Sequence, residues 1–185
     1  TAVLWNGLPI SSPMLGQLDF SLLPTGFMEE VRLDYGGNTA TWGGGAIGGA
    51  IHLNNRATLQ KGWNAELRQE TGSFGYQDYL GKVQISSGKW GSRTRAFFQT
   101  ADNEFPYTIR EDLPRRRQSH ASYTQKGLMQ EVFYSPNEKQ YLSAHLWVQE
   151  SFREIPPTMV QNRSLATQED RALRLSVNWE RRGEN

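Results

Sequence analysis

Cysteine is absent from this chain of 185 residues. A disulfide framework and thiolate chemistry are therefore excluded for this stretch of sequence. Charge of one sign is not in excess either, since the formal net charge is +1 at pH 7, and no strong electrostatic attraction to nucleic acid is expected. Long hydrophobic runs are also missing, because no apolar segment approaches the roughly 20 residues that a membrane helix needs.

The low mean hydropathy of −0.66 does not exclude every membrane protein. A transmembrane β-barrel alternates lipid-facing and lumen-facing residues along each strand, so its average hydropathy stays low. Aromatic residues make up 11% of the chain and include six tryptophans. That content is compatible with an aromatic girdle at a membrane interface, although a soluble β-protein could also have it.

Signals of catalysis or metal binding are weak. The three histidines, at positions 52, 120 and 145, are far apart and lack the spacing of metal ligands. Glu29 and Glu30 are adjacent, and neighbours on a strand point to opposite faces, so they do not form an acid–base pair. No Ser–His–Asp motif is present. We therefore expect no metal site and no cofactor.

The first third of the chain, residues 1–58, is rich in glycine, proline and short apolar clusters. This composition predicts a compact piece with short strands and tight turns. The glycines between residues 43 and 49 permit positive φ and close approach of the backbone. A phosphate-binding loop is the rival interpretation, but the Lys-Ser/Thr that follows the glycines of a P-loop is missing.

From about residue 60 apolar and polar residues alternate, which predicts about six strands. Five alternating segments lie within residues 63–68, 78–85, 95–99, 142–149 and 173–179, and residues 125–134 form a further strand with less clearly sorted faces. Short turns at 86–91 and 135–138 are interspersed with long loops at 102–122 and 153–169. Short turns at one end and long loops at the other are typical of outer-membrane barrels.

The alternation also predicts which way the side chains point and how the strands pair. Consecutive strands should form an antiparallel meander, with both long loops at one end. We expect the following apolar residues to point outward to lipid: Leu142, Ala144, Leu146, Val148, Leu173, Leu175 and Val177. The polar residues between them should point to the lumen: His145, Gln149, Arg174 and Asn178.

Several motifs resemble those of the TonB-dependent outer-membrane receptors. Residues 3–9, V-L-W-N-G-L-P, resemble the family's V-L-x-D-G-V-P, and residues 19–24 resemble its D-L-S-x-I-P. Residues 30–36 resemble I-E-V-x-x-G. The most specific match is W-G-G-G-A-I-G-G-A-I at 42–51, which is similar to Y-G-x-x-A-I-G-G-x-I-N-I. Two residues depart from the family's usual ones: Gly37, after the 30–36 motif, replaces a proline, and His52 replaces an asparagine. Residues 72–77 resemble a G-S-x-x-Y-Q stretch of the first barrel hairpin.

The resemblance implies a mainly β fold in two parts. Residues 1–58 would be the C-terminal part of a plug domain. Residues 59–185 would be the first six or so antiparallel meander strands of a truncated transmembrane β-barrel. Such barrels have about 22 strands, so only part of one is present.

The resemblance further implies active import across the bacterial outer membrane. The ligand would be scarce and large, such as cobalamin or a ferric siderophore, and cobalamin and siderophore receptors are the most similar subfamilies. TonB with ExbB–ExbD would supply the energy through a segment absent here, and outer-membrane lipid, including lipopolysaccharide, would surround the barrel. Import of this kind needs no covalent chemistry, so we expect no enzymatic activity. No nucleic acid is expected as a partner.

One plug loop is the predicted substrate-binding element, and the resemblance alone implies that it faces outward. Its residues are Ser11, Ser12, Pro13, Met14, Leu15 and Gln17. Methionine and leucine offer apolar contact, serine and glutamine offer hydrogen bonds, and proline restricts the loop. An ordinary surface loop is the alternative. The run Arg115, Arg116 and Arg117 is either a solvated loop face or a contact for phosphate groups.

Two other classes of protein remain open at this point. A non-transporting outer-membrane barrel, such as an adhesin or porin, would share the strand pattern but would lack the motif at 42–51. A soluble β-rich binding module would close its apolar faces on one another as a core.

Overall fold

The computed structural model describes residues 1–12, 16–36, 48–55, 59–109, 114–158, 161 and 163–181. Within this part the fold is mainly β, as the alternation predicts. The regular elements other than strands are two short 3-10 helices, Phe20–Leu22 and Thr25–Phe27. No helix in the described ranges has the length and apolar character needed to cross a membrane.

A small sheet is built from the first third of the chain. Its strands are β1 (Ala2–Trp5), β2 (Leu8–Pro9), β3 (Glu30–Tyr35) and β4 (Gly49–Asn54), in the order β2-β1-β4-β3. The turn between β1 and β2 has φ of 47° at Asn6 and 84° at Gly7. Asn-Gly is the pair that tolerates positive φ at both central positions of a tight hairpin. Asparagine in place of the family's aspartate is therefore compatible with the turn.

A large sheet follows. Its strands are β5 (Gly62–Thr71), β6 (Gln77–Ser86), β7 (Trp90–Ala101), β10 (Tyr123–Asn137), β11 (Gln140–Glu154) and β12 (Thr167–Arg181). The order is β12-β11-β10-β7-β6-β5, and every neighbouring pair is antiparallel. The predicted meander is thus confirmed. Two-residue strands β8 (Pro106–Tyr107) and β9 (Arg116–Arg117) add a small hairpin within the first long loop, which the sequence did not predict.

The long loops lie at one end of the large sheet, as predicted. The backbone N–H of Asp102 donates to the carbonyl of Phe74, which joins the loop after β7 to the loop after β5. His120 lies between the Glu154 carboxylate and the Ala166 carbonyl, which joins the two longest loops. We call this the long-loop end and the opposite end the short-turn end.

The two faces of the large sheet differ as the alternation predicts. Leu173 and Leu175 are 73% and 67% exposed, whereas Ser176 is 3% exposed on the other face. The Arg174 guanidinium lies over the Trp147 ring, 4.4 Å from its centroid, and so points away from Leu173 and Leu175. The other outward residues follow the pattern: Leu142, Val148 and Val177 are exposed, and Ala144 and Leu146 are partly exposed. The inward set also agrees: His145 and Gln149 are buried, and Asn178 lines a cavity on that side.

The small sheet and the 3-10 helices pack against the inner face of the large sheet. The buried cluster at this contact contains Val3, Trp5, Ile10, Phe27, Leu53, Leu80, Phe97, Met129 and Trp147. Four of these come from large-sheet strands, so the inner face is not uniformly polar. Burying a large apolar side chain contributes about 1.5–3 kcal/mol, so this cluster is the main apolar attachment between the two sheets.

Gly127 of β10 is expected to tolerate no side chain. A Cβ at this position would lie 2.9 Å from the backbone carbonyl oxygen of Val148 and 2.6 Å from the Phe97 ring. Gly127→Ala should destabilise the full-length protein by about 1–3 kcal/mol, because the carbonyl cannot move out of the way. Thermal unfolding in detergent measures the change. Gly81→Ala is the matched control, since a Cβ there meets nothing within 4 Å. Equal midpoints for the two variants would contradict the packing.

Candidate functional site

A buried charged cluster occupies the inner face of three adjacent strands. Glu131 of β10 lies opposite Arg93 of β7 and His145 of β11 in the strand register. Its carboxylate accepts from Arg93 Nε at 2.6 Å and from Arg95 Nη1 at 2.7 Å. His145 Nδ1 is 3.1 Å from the other carboxylate oxygen. All four residues are at most 2% exposed, so Glu131 neutralises charge that water cannot reach.

Glu29 carries the charged cluster across to the small sheet. It precedes β3, and its Oε1 accepts from Arg95 Nη2 at 2.7 Å and also pairs with Arg93. Lys82 Nζ is 3.7 Å from the same oxygen. Arg95 Nη1 additionally donates to the Phe27 carbonyl at 3.0 Å. The guanidinium groups of Arg93 and Arg95 therefore each contact two carboxylates. One is Glu131 of the large sheet, and the other is Glu29 of the segment that packs against it.

A second polar contact holds the 3-10 helix Phe20–Leu22 near the long-loop end. Gln125 Nε2 donates to the Ser21 carbonyl at 3.0 Å, and Gln149 Nε2 donates to the Leu22 carbonyl. Arg153, at the end of β11, pairs with Asp19 at 2.7 Å. The Ser21 hydroxyl and, to a smaller extent, the Arg153 guanidinium hold the pKa of the Asp19 carboxyl below its usual range, against the opposing effect of burial.

The predicted binding loop begins and ends close together. The Ser12 N–H donates to the Gln17 carbonyl at 2.9 Å, and the Gly16 N–H donates to the Ser12 carbonyl at 2.8 Å. Ser11 and Ser12 are partly buried and Gln17 is exposed. Pro13, Met14 and Leu15 lie outside the described residues. The role of this loop in binding stays a prediction.

A polar cavity of about 630 Å³ lies at the short-turn end. Asn54, which ends β4, and Asn55, which follows it, line the cavity on the small-sheet side. Ser143, His145 and Asn178 line it from the large sheet. A second cavity of about 220 Å³ lies beside the 3-10 helices and the inner face of β6 and β7. Among the described residues no group of three or more His, Asp or Glu could hold a metal ion.

The charged cluster was not among the residues predicted from the sequence. A usable signal existed, because Arg93, Arg95 and His145 all occupy polar positions of alternating strands and must share one face. The pattern did not say which of them stand side by side. That information comes from the register across the first long loop.

Comparison with known proteins gives a partial match. No protein-family model matches the sequence. The Vitamin B12 transporter BtuB of Vibrio vulnificus is 30% identical over 116 residues, which cover 62% of this chain and 18% of that protein. The Vitamin B12 transporter BtuB of Photobacterium profundum is 37% identical over 92 residues, which cover 48% of this chain and 15% of that protein. The chain thus spans less than a fifth of the length of these relatives.

Both relatives are named as transporters, which agrees with the expectation that the chain is not an enzyme. The matched stretches exceed half of the chain in one case and approach half in the other. The structure of this chain is mainly β, and its small sheet packs on the inner face of an antiparallel meander. Over about half of its length the chain is thus similar to proteins named as vitamin B12 transporters, as the resemblance to cobalamin and siderophore receptors predicts.

Proposed function

We propose that the intact protein imports a scarce large ligand across the bacterial outer membrane in a TonB-dependent manner. Residues 1–58 are the C-terminal part of its plug, and residues 59–185 are the first six or so barrel strands. The observation that carries the proposal is the packing of the small sheet on the polar inner face of the meander while the apolar face is left exposed. Since no strand pairs with the outer edges of β5 and β12 in the described residues, further strands complete the wall.

The outward face supports a position in the membrane. Trp90, Tyr134 and Trp179 lie in one row with Leu142 near the short-turn end, and each is between 40% and 66% exposed. Toward the long-loop end of β10, Lys126 pairs with Glu150 at 3.1 Å. Eight residues of strand separate Lys126 from Tyr134, a rise of about 26 Å. Barrel strands tilt by about 35–45°, so this segment crosses about 20 Å of membrane, which is most of the roughly 25 Å apolar band that aromatic residues flank.

A polar group of Gln130, Ser92 and Thr94 interrupts this apolar face without contradicting the assignment. Gln130 lies on the outward side of β10, between Leu128 and Val132. Its Nε2 donates to Ser92 Oγ at 2.9 Å, and its Oε1 accepts from Thr94 Oγ1 at 2.6 Å. Because the amide is paired within the wall, the cost of placing it in lipid is reduced.

Cobalamin is the ligand that we favour over a ferric siderophore, because both relatives are named as vitamin B12 transporters. TonB with ExbB–ExbD supplies the energy through a segment not present here. A passive porin is less consistent with a small sheet attached by buried charges and aromatic rings. A soluble module is less consistent with the exposed row of outward leucines and valines. The exposed Arg115, Arg116 and Arg117 are suited to phosphates of outer-leaflet lipopolysaccharide.

Uptake by cells tests the proposal. The full-length gene is expressed in bacteria that lack their own cobalamin receptor, and labelled cobalamin and a labelled ferric siderophore are supplied separately. We expect saturable cobalamin uptake that stops when TonB is deleted or the proton gradient is collapsed. Uptake that continues without TonB would indicate a passive pore. Recovery of the protein outside the membrane fraction would indicate the soluble module.

The predicted loop gives a sharper test of the binding site. Its end at Gln17 lies two residues before Asp19, which pairs with Arg153 at the long-loop end, and this supports an outward-facing position. Replacing Met14 and Gln17 together by alanine should weaken surface binding of cobalamin by more than about 1 kcal/mol. Gln60→Ala, at an exposed position before β5, is the control. Unchanged affinity with normal expression would remove the loop from the site.

A further inference from the structure

Apolar and charged side chains form most of the contact between the two sheets. At the short-turn end, uncharged polar side chains predominate instead. There the cavity of about 630 Å³ separates the end of β4 from the inner face of β11 and β12. Its walls include five carboxamide side chains, those of Asn6, Asn54, Asn55, Gln140 and Asn178. Three charged residues also line it, Glu138 and Lys139 at the turn between β10 and β11 and Glu180 near the end of β12. We call this cavity, with Ser143 and His145 on its large-sheet side, the amide seam.

Two buried polar atoms indicate that the amide seam is hydrated. Asn55 is only 7% exposed, and its Oδ1 has no hydrogen-bond partner among the described residues, although its Nδ2 donates to the sulfur of Met129. Asn6 Oδ1 accepts from the Asn55 N–H at 2.9 Å, while its Nδ2 is likewise without a partner in the part described. Buried polar groups of this kind are normally satisfied by ordered water, and the cavity has room for it.

The rest of the contact would resist opening more strongly. Next to the amide seam, Trp5 packs edge to face on Trp147 at 5.4 Å between centroids, and both are fully buried. Separating these rings exposes apolar surface to water. Separating Glu29 from Arg95 leaves charge without its buried partner. In the amide seam a passing molecule exchanges hydrogen bonds with water for hydrogen bonds with neutral amides, so little is lost.

We propose that the amide seam is the route by which the transported ligand leaves the plug–wall contact toward the short-turn side. This inference rests on the proposed function and names the ligand chemistry that the route accepts. Carboxamides both donate and accept hydrogen bonds and carry no charge. They suit a neutral, amide-bearing ligand, and cobalamin carries several carboxamide side groups. The seam holds such a ligand weakly, which permits release.

Filling the amide seam from the wall tests the route in the full-length protein. Ser143→Trp and Asn178→Trp place a bulky ring in the cavity. Leu175→Trp and Val177→Trp, both on the outward face of the same strand, are the matched controls. Binding of labelled cobalamin to de-energised cells is measured first, and accumulation after energisation second. We expect binding within about twofold of the unmodified protein in all variants, and uptake at least about tenfold slower for the two seam variants alone.

A second experiment covers the case in which the tryptophan variants fail to assemble. The stretch described has no cysteine, so Asn178→Cys offers one thiol that a bulky water-soluble maleimide can modify after folding. Modification should block uptake in this variant and not in Leu175→Cys or in the unmodified protein treated in the same way. If the reagent cannot reach the thiol of Asn178→Cys, or if uptake is normal after modification, the proposed route is wrong while the proposed function stands. Absence of cobalamin binding and uptake in the unmodified protein would overturn the proposed function as well.

Discussion

Glu131→Ala is expected to prevent stable assembly of the protein. Arg93 and Arg95 are each 1% exposed, and Glu131 is the carboxylate of their own sheet that contacts both at 2.6–2.7 Å. Removal of one partner from a buried ion pair typically costs about 3–5 kcal/mol, because the remaining charge cannot be hydrated. Glu29 remains, but its carboxylate is partly exposed and comes from the other sheet. A loss of this size is a large share of the free energy of unfolding of a typical domain.

The measurement is the folded fraction in purified outer membranes, followed by thermal unfolding in detergent. Glu150→Ala is the matched control, because that carboxylate lies on the outward face, is 47% exposed and pairs with Lys126. An exposed pair of this kind contributes at most about 1 kcal/mol. Glu131→Gln should be intermediate, since the amide oxygen still accepts a hydrogen bond. Equal behaviour of Glu131→Ala and Glu150→Ala would show that the charged cluster is not critical to assembly.

The strands and their faces could be predicted because alternation has a period of two and one face of the wall is apolar. Leu173, Leu175 and Val177 follow this rule throughout β12. The same rule could not find Phe97, Met129 and Trp147 as core residues, because they interrupt a polar face. Their burial depends on the small sheet that covers them, and periodicity within a strand does not say what lies opposite.

The charged cluster could not be assembled from the sequence for a related reason. Glu131 meets Arg93 because of the register between β7 and β10, and the loop that joins these strands is long and carries a hairpin of its own. Tight turns determine register, whereas long loops do not. Two-residue strands such as β8 and β9 also have no periodicity to detect. The binding loop was predicted from the family resemblance and not from a pattern of its own, and its role stays a prediction.

Trp147→Ala is expected to loosen the small sheet from the wall. The Trp147 ring is fully buried and lies edge to face with Trp5 at 5.4 Å and with Phe27 at 6.1 Å, while the Arg174 guanidinium covers it at 4.4 Å. One side chain of β11 therefore contacts both the small sheet, through Trp5, and the 3-10 helix Thr25–Phe27, through Phe27. Truncation of a buried tryptophan costs about 3–5 kcal/mol through lost contacts and the cavity that remains.

Two readouts separate this loosening from general misfolding. Thermal unfolding in detergent should show the loss of stability, and cells should become sensitive to a large antibiotic that cannot normally cross the outer membrane. Trp179→Ala is the matched control, because that ring is 66% exposed and lies on the outward face of the neighbouring strand, opposite Leu142. Its truncation should cost about 1 kcal/mol or less and leave the barrier intact.

If Trp147→Ala destabilises the protein without admitting the antibiotic, Trp147 stabilises the wall alone and the charged cluster suffices to hold the small sheet. If both variants admit the antibiotic equally, the leak arises from the wall and not from the contact between the sheets.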